Sequence, residues 1–156
     1  MAAIAYDPEN VFQKILDGAI PSFKIFETEH VLAILDAFPL VPGHALLIPK
    51  AQYATVIDMP ANVAASLFRE LPRLAKAVQQ PHAHIILLAL LRATGADGIN
   101  IIQNNGAASG QAVFHAHIHV IPRFEGDGVL TLPAGQQMIQ KDDALALLAK
   151  IQEKLQ

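Results

Sequence analysis

The chain has 156 residues, of which 53% are apolar, and a formal net charge of -3 at pH 7. This length suits one domain with a substantial core, and the 11 scattered Lys and Arg residues form no basic stripe, which argues against duplex nucleic acid as a partner. The chain has no Cys, which excludes thiolate metal sites and disulfides. Because the start also lacks the charged and apolar regions of a signal peptide, we expect a cytoplasmic protein.

The N-terminal part predicts one short helix followed by three strands. Apolar residues recur at helical spacing from Pro8 to Asp17, and Gly18 is a suitable residue to end the helix. Apolar runs then predict strands at 23–28, 31–36 and 44–49.

A long amphipathic helix is predicted from Asn62 to Gln80, where apolar residues recur every three or four positions. Pro72 lies inside it and removes one backbone hydrogen bond, so we expect the helix to kink or to divide. A strand at 98–104 and a C-terminal helix at 141–156 follow. The run at 80–92 fits no predicted element, and its seven consecutive apolar residues are too few to span a bilayer, so no membrane partner is expected.

Three histidines, His115, His117 and His119, alternate with apolar residues. The period of two predicts a strand, on which the three rings share one face at intervals of about 6.6 Å. Such a row is a poor core face, because every buried ring brings a donor and an acceptor that need partners. Three interpretations compete: a histidine nucleophile with histidine helpers, a metal site, and a strand with only a structural role.

The segment at 104–111 is a loop rich in amide side chains and glycine. Its glycines let the backbone approach a ligand closely, and main-chain N–H groups in such loops hold anions. Because the loop leads directly into the histidines, a bound phosphate is expected within reach of the middle ring. This arrangement favours phosphoryl or nucleotidyl transfer. An ordinary hairpin turn explains the glycines but not the histidines that follow.

These residues together resemble the histidine triad (HIT) superfamily. The run from His115 to His119 fits the family's HxHxHxx signature, with Gly110 and Gln111 as its preceding pair, and the segments at 10–22 and 41–50 resemble its opening helix and central strand. The resemblance implies an α+β fold, with a five-stranded antiparallel sheet, a long central helix and short flanking helices, in a homodimer. We expect a single HIT domain over residues 1–156, with an insertion at about 80–92.

The resemblance also implies a function like that of bacterial HIT proteins. These are nucleotide hydrolases or transferases that act at the α-phosphate of purine nucleotides, either dinucleoside polyphosphates or nucleoside phosphoramidates. The residue matching His117 forms a nucleotidyl-histidine intermediate, the residue matching His119 contacts the α-phosphate, and His115 supports them. Asp36 matches the acid that binds the ribose. The remaining predicted nucleotide contacts are Phe12, Ile15, Ile20, His44, Asn104, Gly110 and Gln111.

Two departures from the family pattern change these expectations. Ala112 stands where phosphoramidases usually have Ser and dinucleoside polyphosphate hydrolases have Thr, so no hydroxyl assists the leaving group there. Many bacterial relatives bind a structural zinc, but three of its ligand positions here hold Asn10, Gln13 and Gln52. We therefore expect no metal and no cofactor. The alternatives are a metal-binding protein or metal-dependent enzyme that uses the histidine strand, and a nucleotide-binding module with little turnover.

Overall fold

Five strands form one antiparallel sheet in a computed structural model that describes residues 4–79, 94–130 and 138–155. The spatial order β1-β2-β3-β5-β4 places the third and fifth strands at the centre of the sheet. The predicted α+β fold with a five-stranded antiparallel sheet is confirmed. The strands are β1 Lys24–Glu27, β2 Val31–Leu35, β3 Ala45–Pro49, β4 Gly98–Ile102 and β5 Ile118–Arg123, and the α-helices are α1 Val11–Leu16, α2 Ala61–Arg69, α3 Leu71–Gln79 and α4 Lys141–Glu153.

Both faces of the sheet are covered, which is why β2 and β3 are apolar almost throughout. On one face, Leu47 and Val120 pack with Leu67 of α2 and Leu74 of α3. On the other face, Leu46 packs with Phe12 of α1 and with the neighbouring strand. Residues directly opposite each other in an antiparallel pair share a face. Because Leu46 pairs with His119, that histidine lies on the face covered by α1.

The predicted long helix is divided in two, as the position of Pro72 led us to expect. The first part ends at Glu70, and the amide of Leu74 then donates to the Glu70 carbonyl at 3.2 Å to begin the second part. Proline has no amide proton, so the ladder of hydrogen bonds cannot continue unbroken through this point. The predicted end at Gln80 and the run at 80–92 lie outside the described residues.

The prediction that all three histidines lie on one strand is wrong. The strand β5 begins at Ile118, so His115 and His117 precede it and only His119 belongs to it. The amide of Ala116 donates to the carbonyl of Tyr53 at 2.8 Å, outside the strand ladder, which holds this segment away from the sheet register. The three rings therefore have different environments instead of forming one row. Within the described residues, no helix is long and apolar enough to cross a membrane.

Candidate active site

A cavity of about 330 Å³ lies between α1 and the sheet. Its walls are mostly apolar, and its polar groups gather at one end, where Asp36, His117 and His119 meet. Cavities of this size that combine an apolar wall with a few converging polar groups are typical small-molecule sites. The other lining residues are Val11, Phe12, Ile15, Pro21, Ser22, Phe23, Ile34, Leu35, Ala37, Phe38, Leu46, Gly110, Ala112 and Val113.

His117 is held in one orientation by the backbone carbonyl of His115 and by the ring of Phe12. Its Nδ1 lies 2.7 Å from the carbonyl oxygen of His115, and Phe12 packs edge-on against the ring at 4.8 Å between centroids. A carbonyl oxygen can only accept a hydrogen bond, so Nδ1 carries the proton and Nε2 keeps a free lone pair. His117 is only 7% exposed, but it lines the cavity. The ring thus has the tautomer that a nucleophile at Nε2 requires.

His119 is fixed through a chain of hydrogen bonds that begins at a backbone amide. The amide of Leu40 donates to Nδ1 of His44 at 3.2 Å, so the proton of that ring is on Nε2. Nε2 of His44 lies 3.0 Å from Nδ1 of His119, and its N–H donates to that nitrogen. The proton of His119 is therefore on Nε2, the nitrogen left for a ligand. The chain makes His119 a hydrogen-bond donor.

All of these rings are neutral near pH 7, because burial penalises the charged form. Burial lowers the pKa of His117, His44 and His115 below the ordinary value. Burial, followed by the neighbouring His117 and His44, lowers the pKa of His119 to about 4, while Asp36 acts in the opposite direction. The carboxylate of Asp36 lies 3.5 Å from Nδ1 of His44 and 4.0 Å from Nδ1 of His119. The result is an uncharged ring with a free lone pair, His117, beside an uncharged hydrogen-bond donor, His119.

The glycine-rich loop is organised by the buried side chain of Gln111. Its Oε1 accepts from the amide of Gly106 at 2.7 Å, and its Nε2 donates to the carbonyls of Ala54 at 2.6 Å and Val113 at 3.1 Å. The amides of residues 109–111 are also bonded inside the loop. These amides are therefore not free to hold an anion, contrary to what the sequence led us to expect.

The next amides along the chain are in a better position. Ala112 and Val113 line the cavity together with His117 and His119. In the part of the chain that the structure describes, neither of these two amides donates a hydrogen bond. Sequence reasoning singled out Ala112 only for its missing hydroxyl and overlooked its backbone, since hydrogen-bond commitments are not visible in a sequence. The backbone amides that remain available near the cavity are thus one to two residues closer to the histidines than the glycine-rich loop.

The structure brings together six of the eleven predicted site residues at the cavity. Two of the others contact the cavity residues without lining the cavity. His44 is hydrogen-bonded to His119, and the carbonyl of His115 is hydrogen-bonded to His117. Ile20 closes the turn after α1 through its amide, which donates to the Lys14 carbonyl at 3.2 Å, and it does not line the cavity. The cavity lining also excludes Asn104 and Gln111. The six that line it are Phe12, Ile15, Asp36, Gly110, His117 and His119.

Two aromatic residues at the cavity were not identified from the sequence. Phe23 is 73% exposed and Phe38 is 90% exposed, although both line the cavity. Exposed aromatic rings of this kind are available for contact with a ligand. The sequence offered one signal for Phe38, which is its position two residues after Asp36. In the structure, Oδ1 of Asp36 accepts from the Phe38 amide at 2.9 Å.

Among the residues that the structure describes, one set of side chains could serve as ligands of a metal ion. Asp36, His44 and His119 offer ligand atoms that lie within 4.8 Å of one another. His44 and His119, however, are hydrogen-bonded directly to each other at 3.0 Å, so these two nitrogens face one another and not a shared ion. A metal ion must displace this bond in order to bind.

The positions of the family's structural zinc do not fit a metal in this chain. Asn10 caps α1, with its Oδ1 accepting from the amide of Gln13 at 3.0 Å. The side chain of Gln13 donates to Asp17 at 2.9 Å. Both ring nitrogens of His115 are bonded, to Tyr6 and to the Pro49 carbonyl. Asn10 and Gln13 carry neutral amides, and His115 is bonded to the phenol of Tyr6. The side chains at these positions thus make hydrogen bonds where the family's ligands coordinate zinc.

Comparison with known proteins agrees with this site and fold. The family model described as HIT domain matches residues 17–126. The adenylylsulfatase HINT3 of Arabidopsis thaliana is 43% identical over 117 residues, which are 75% of this chain and 53% of that protein, so the chain spans about half of that relative. The adenosine 5'-monophosphoramidase HNT1 of Saccharomyces cerevisiae is 36% identical over 155 residues, covering 97% of this chain and 88% of the relative.

Solved structures include a similar fold. The crystal structure of SMU.412c from Streptococcus mutans UA159 has a TM-score of 0.84 and 36% sequence identity, and covers 100% of this chain and 90% of that one. The resemblance inferred from the histidine motif is thereby confirmed. From the matched domain, the related sequences and the shared fold, this chain belongs to the histidine triad (HIT) family.

Proposed function

We propose that this protein is a nucleotide hydrolase that attacks the α-phosphate of purine nucleotides with Nε2 of His117. The observation that carries the proposal is the hydrogen bond of 2.7 Å from Nδ1 of His117 to the His115 carbonyl. It leaves an unprotonated nitrogen in a cavity that is also lined by Ala112 and Val113, whose amides donate no hydrogen bond to the described residues. Relatives named for adenylyl sulfate and adenosine phosphoramidate hydrolysis support this class of substrate.

The cavity suits a nucleoside monophosphate group. The apolar side chains of Phe12 and Ile15 provide a wall for the base, and the carboxylate of Asp36 can accept hydrogen bonds from the ribose hydroxyls. The amides of Ala112 and Val113, with Nε2–H of His119, are the donors for the phosphoryl oxygens. Donors placed in advance around a developing charge lower the barrier of such a transfer.

The reaction proceeds in two steps. Nε2 of His117 forms a bond to the α-phosphorus while the bond to the leaving group breaks, and the leaving group takes that electron pair. Nδ1 keeps its proton, which stays hydrogen-bonded to the His115 carbonyl. This bond stabilises the positive charge that the ring gains. Water then attacks phosphorus, the P–N bond breaks, its electron pair returns to Nε2, and one water proton passes to solvent. The product is a nucleoside monophosphate.

Ala112 indicates which leaving groups suit the site. Without a hydroxyl at this position, no side chain there can donate a proton to the departing atom. An amine leaving group needs such a proton, whereas sulfate and phosphate leave as stable anions. We therefore place adenylyl sulfate and dinucleoside polyphosphates ahead of phosphoramidates as substrates. The adenylylsulfatase name of the Arabidopsis thaliana relative agrees with this order.

The test compares the wild-type protein with His117→Ala on adenylyl sulfate, diadenosine tetraphosphate and adenosine phosphoramidate. We expect His117→Ala to lose at least 10³-fold in kcat and to keep AMP binding, since a nucleophile contributes mainly to the transition state. Acid quench of the wild-type protein should trap labelled AMP on the protein. His30→Ala changes an exposed histidine remote from the cavity and serves as the matched control.

Each alternative function has its own outcome in the same experiment. Turnover that survives in His117→Ala contradicts the proposed nucleophile. Loss of wild-type turnover with a chelator supports a metal-dependent enzyme that uses Asp36, His44 and His119. Tight AMP binding without turnover or label supports a nucleotide-binding module. A single domain over residues 1–156, a homodimer and a cytoplasmic location remain predictions, and light scattering of the purified protein tests the homodimer.

A further inference from the structure

His115 is wholly buried and does not line the cavity, yet both of its ring nitrogens are bonded. Nε2 lies 2.8 Å from the carbonyl oxygen of Pro49, and Nδ1 lies 2.6 Å from the hydroxyl of Tyr6. Because the Pro49 carbonyl can only accept, the proton of the neutral ring is on Nε2. Nδ1 is then an acceptor, and the Tyr6 hydroxyl donates to it. The two contacts fix both the tautomer and the plane of this ring.

Tyr6 joins the segment before α1 to the same cluster. Its ring packs edge-on against His115 at 5.4 Å between centroids. Its hydroxyl also lies 2.9 Å from Oε1 of Gln13, whose Nε2 donates to Asp17. Gln13 and His115 therefore compete for one hydroxyl proton. The contact with Nδ1 is the shorter of the two, at 2.6 Å against 2.9 Å, and an imidazole nitrogen is a stronger acceptor than an amide oxygen, so the hydroxyl donates to His115.

The backbone of His115 is the part that touches the nucleophile. Its carbonyl accepts the Nδ1–H of His117 at 2.7 Å, and the side chain of the same residue is anchored by Tyr6 and Pro49. The anchored ring restrains this carbonyl, because the two are attached to one Cα and any shift of the residue 115 backbone strains the bonds of the ring, in a segment that precedes the strand ladder. A small displacement of a reacting group can cost about 10²-fold in rate.

We propose that Tyr6 is a positioning residue for the nucleophile. Its hydroxyl fixes His115, and the His115 carbonyl in turn holds Nε2 of His117 towards the cavity. The inference rests on the proposed function for its effect on rate, but not for its effect on structure. Tyr6 lies before residue 17, where the match to the HIT domain begins, whereas His115 and His117 lie inside the match. This positioning requires an ordered N-terminal segment for full activity.

The experiment uses Tyr6→Phe, which removes the hydroxyl and keeps the ring. We expect kcat to fall about 10-fold, with KM and AMP affinity changed less than about twofold, because only the attack geometry is affected. Gln13→Met is the matched control, since it removes the other contact of the same hydroxyl and leaves the bond to His115. Its kcat should stay within about twofold of the wild-type value.

Two further measurements separate positioning from general destabilisation. In a His115→Ala background, Tyr6→Phe should cause no additional loss of kcat, because the ring through which it acts is absent. In ¹⁵N NMR spectra, Tyr6→Phe should shift the His115 Nδ1 signal and turn the single tautomer of His117 into a mixture. An unchanged His117 tautomer overturns the proposal even if the wild-type protein proves inactive. Equal losses of kcat in both backgrounds also overturn it.

Discussion

Replacing Gln111 by Met tests how the phosphate-binding end of the cavity is built. The side chain of Gln111 is 4% exposed and makes three hydrogen bonds, to the amide of Gly106 and the carbonyls of Ala54 and Val113. Met has a similar length and no amide, so it keeps the packing and removes all three bonds. The variant asks whether Gln111 holds the loop together or contacts the nucleotide.

The expected loss of stability follows from the bonds. At a net value of about 1 kcal/mol each, three bonds give about 3 kcal/mol of the free energy of unfolding. For a domain of this size, that loss lowers Tm by about 6–12 °C. Because the loop also carries the amides of Ala112 and Val113, we expect kcat to fall as well, with the base and ribose contacts retained.

Urea denaturation and thermal scanning measure the change, with AMP titration on the same samples. Gln140→Met is the matched control, since Gln140 is exposed and makes no side-chain bond to the helix it precedes. It should change stability by less than about 0.5 kcal/mol. If Gln111→Met keeps its stability within about 1 kcal/mol but loses AMP affinity, the loop argument fails and the family expectation of a direct nucleotide contact is right.

Two other predictions concern the leaving group and pH. Ala112→Ser should raise kcat for adenosine phosphoramidate by about 10-fold and leave kcat for adenylyl sulfate nearly unchanged, because only the amine needs a proton donor. Steady-state assays with both substrates test this, and an equal change for both contradicts it. The pKa of His119 is lowered to about 4 from its ordinary 6.5, so the unfolded chain binds the extra proton between these values. The free energy of unfolding should therefore be highest above about pH 6.5 and fall as pH decreases to about 4. Denaturation at several pH values should show a shallower decline in His119→Gln, and an identical decline refutes the assignment.

The sequence by itself was sufficient for the fold and for the family. The strands predicted at 23–28, 31–36, 44–49 and 98–104 lie within two residues of their observed bounds, and β2 and β3 show the continuous apolar side chains that a strand covered on both faces needs. Pro72 predicted the division of the helix, since its missing amide proton is a local property of the residue. The spacing of the three histidines was local information of the same kind, and it identified the HIT family.

The same local reasoning failed where the chain leaves the regular period. Alternation of apolar and polar residues suggested that His115 and His117 belong to a strand, but the amide of Ala116 between them bonds the Tyr53 carbonyl, and the His115 carbonyl accepts from the His117 ring. A repeat of three residues is too short to show where a strand begins. The loop before them was recognised, but the amides of Gly106 and Gly110 are bonded within it, and among the described residues those of Ala112 and Val113 make no bond, which is why we propose them as the phosphate donors.

Only the tertiary structure decided which ring nitrogen is protonated in His115 and His119. The tautomer of His115 depends on the carbonyl of Pro49, which is 66 residues away in the chain, and that of His119 depends on His44, which is 75 residues away. Hydrogen-bond partners at such separations are set by how α1 and the strands pack, and no local pattern records them. The composition of this site was therefore readable in the amino-acid order, whereas its chemistry depends on contacts that exist only in the folded chain.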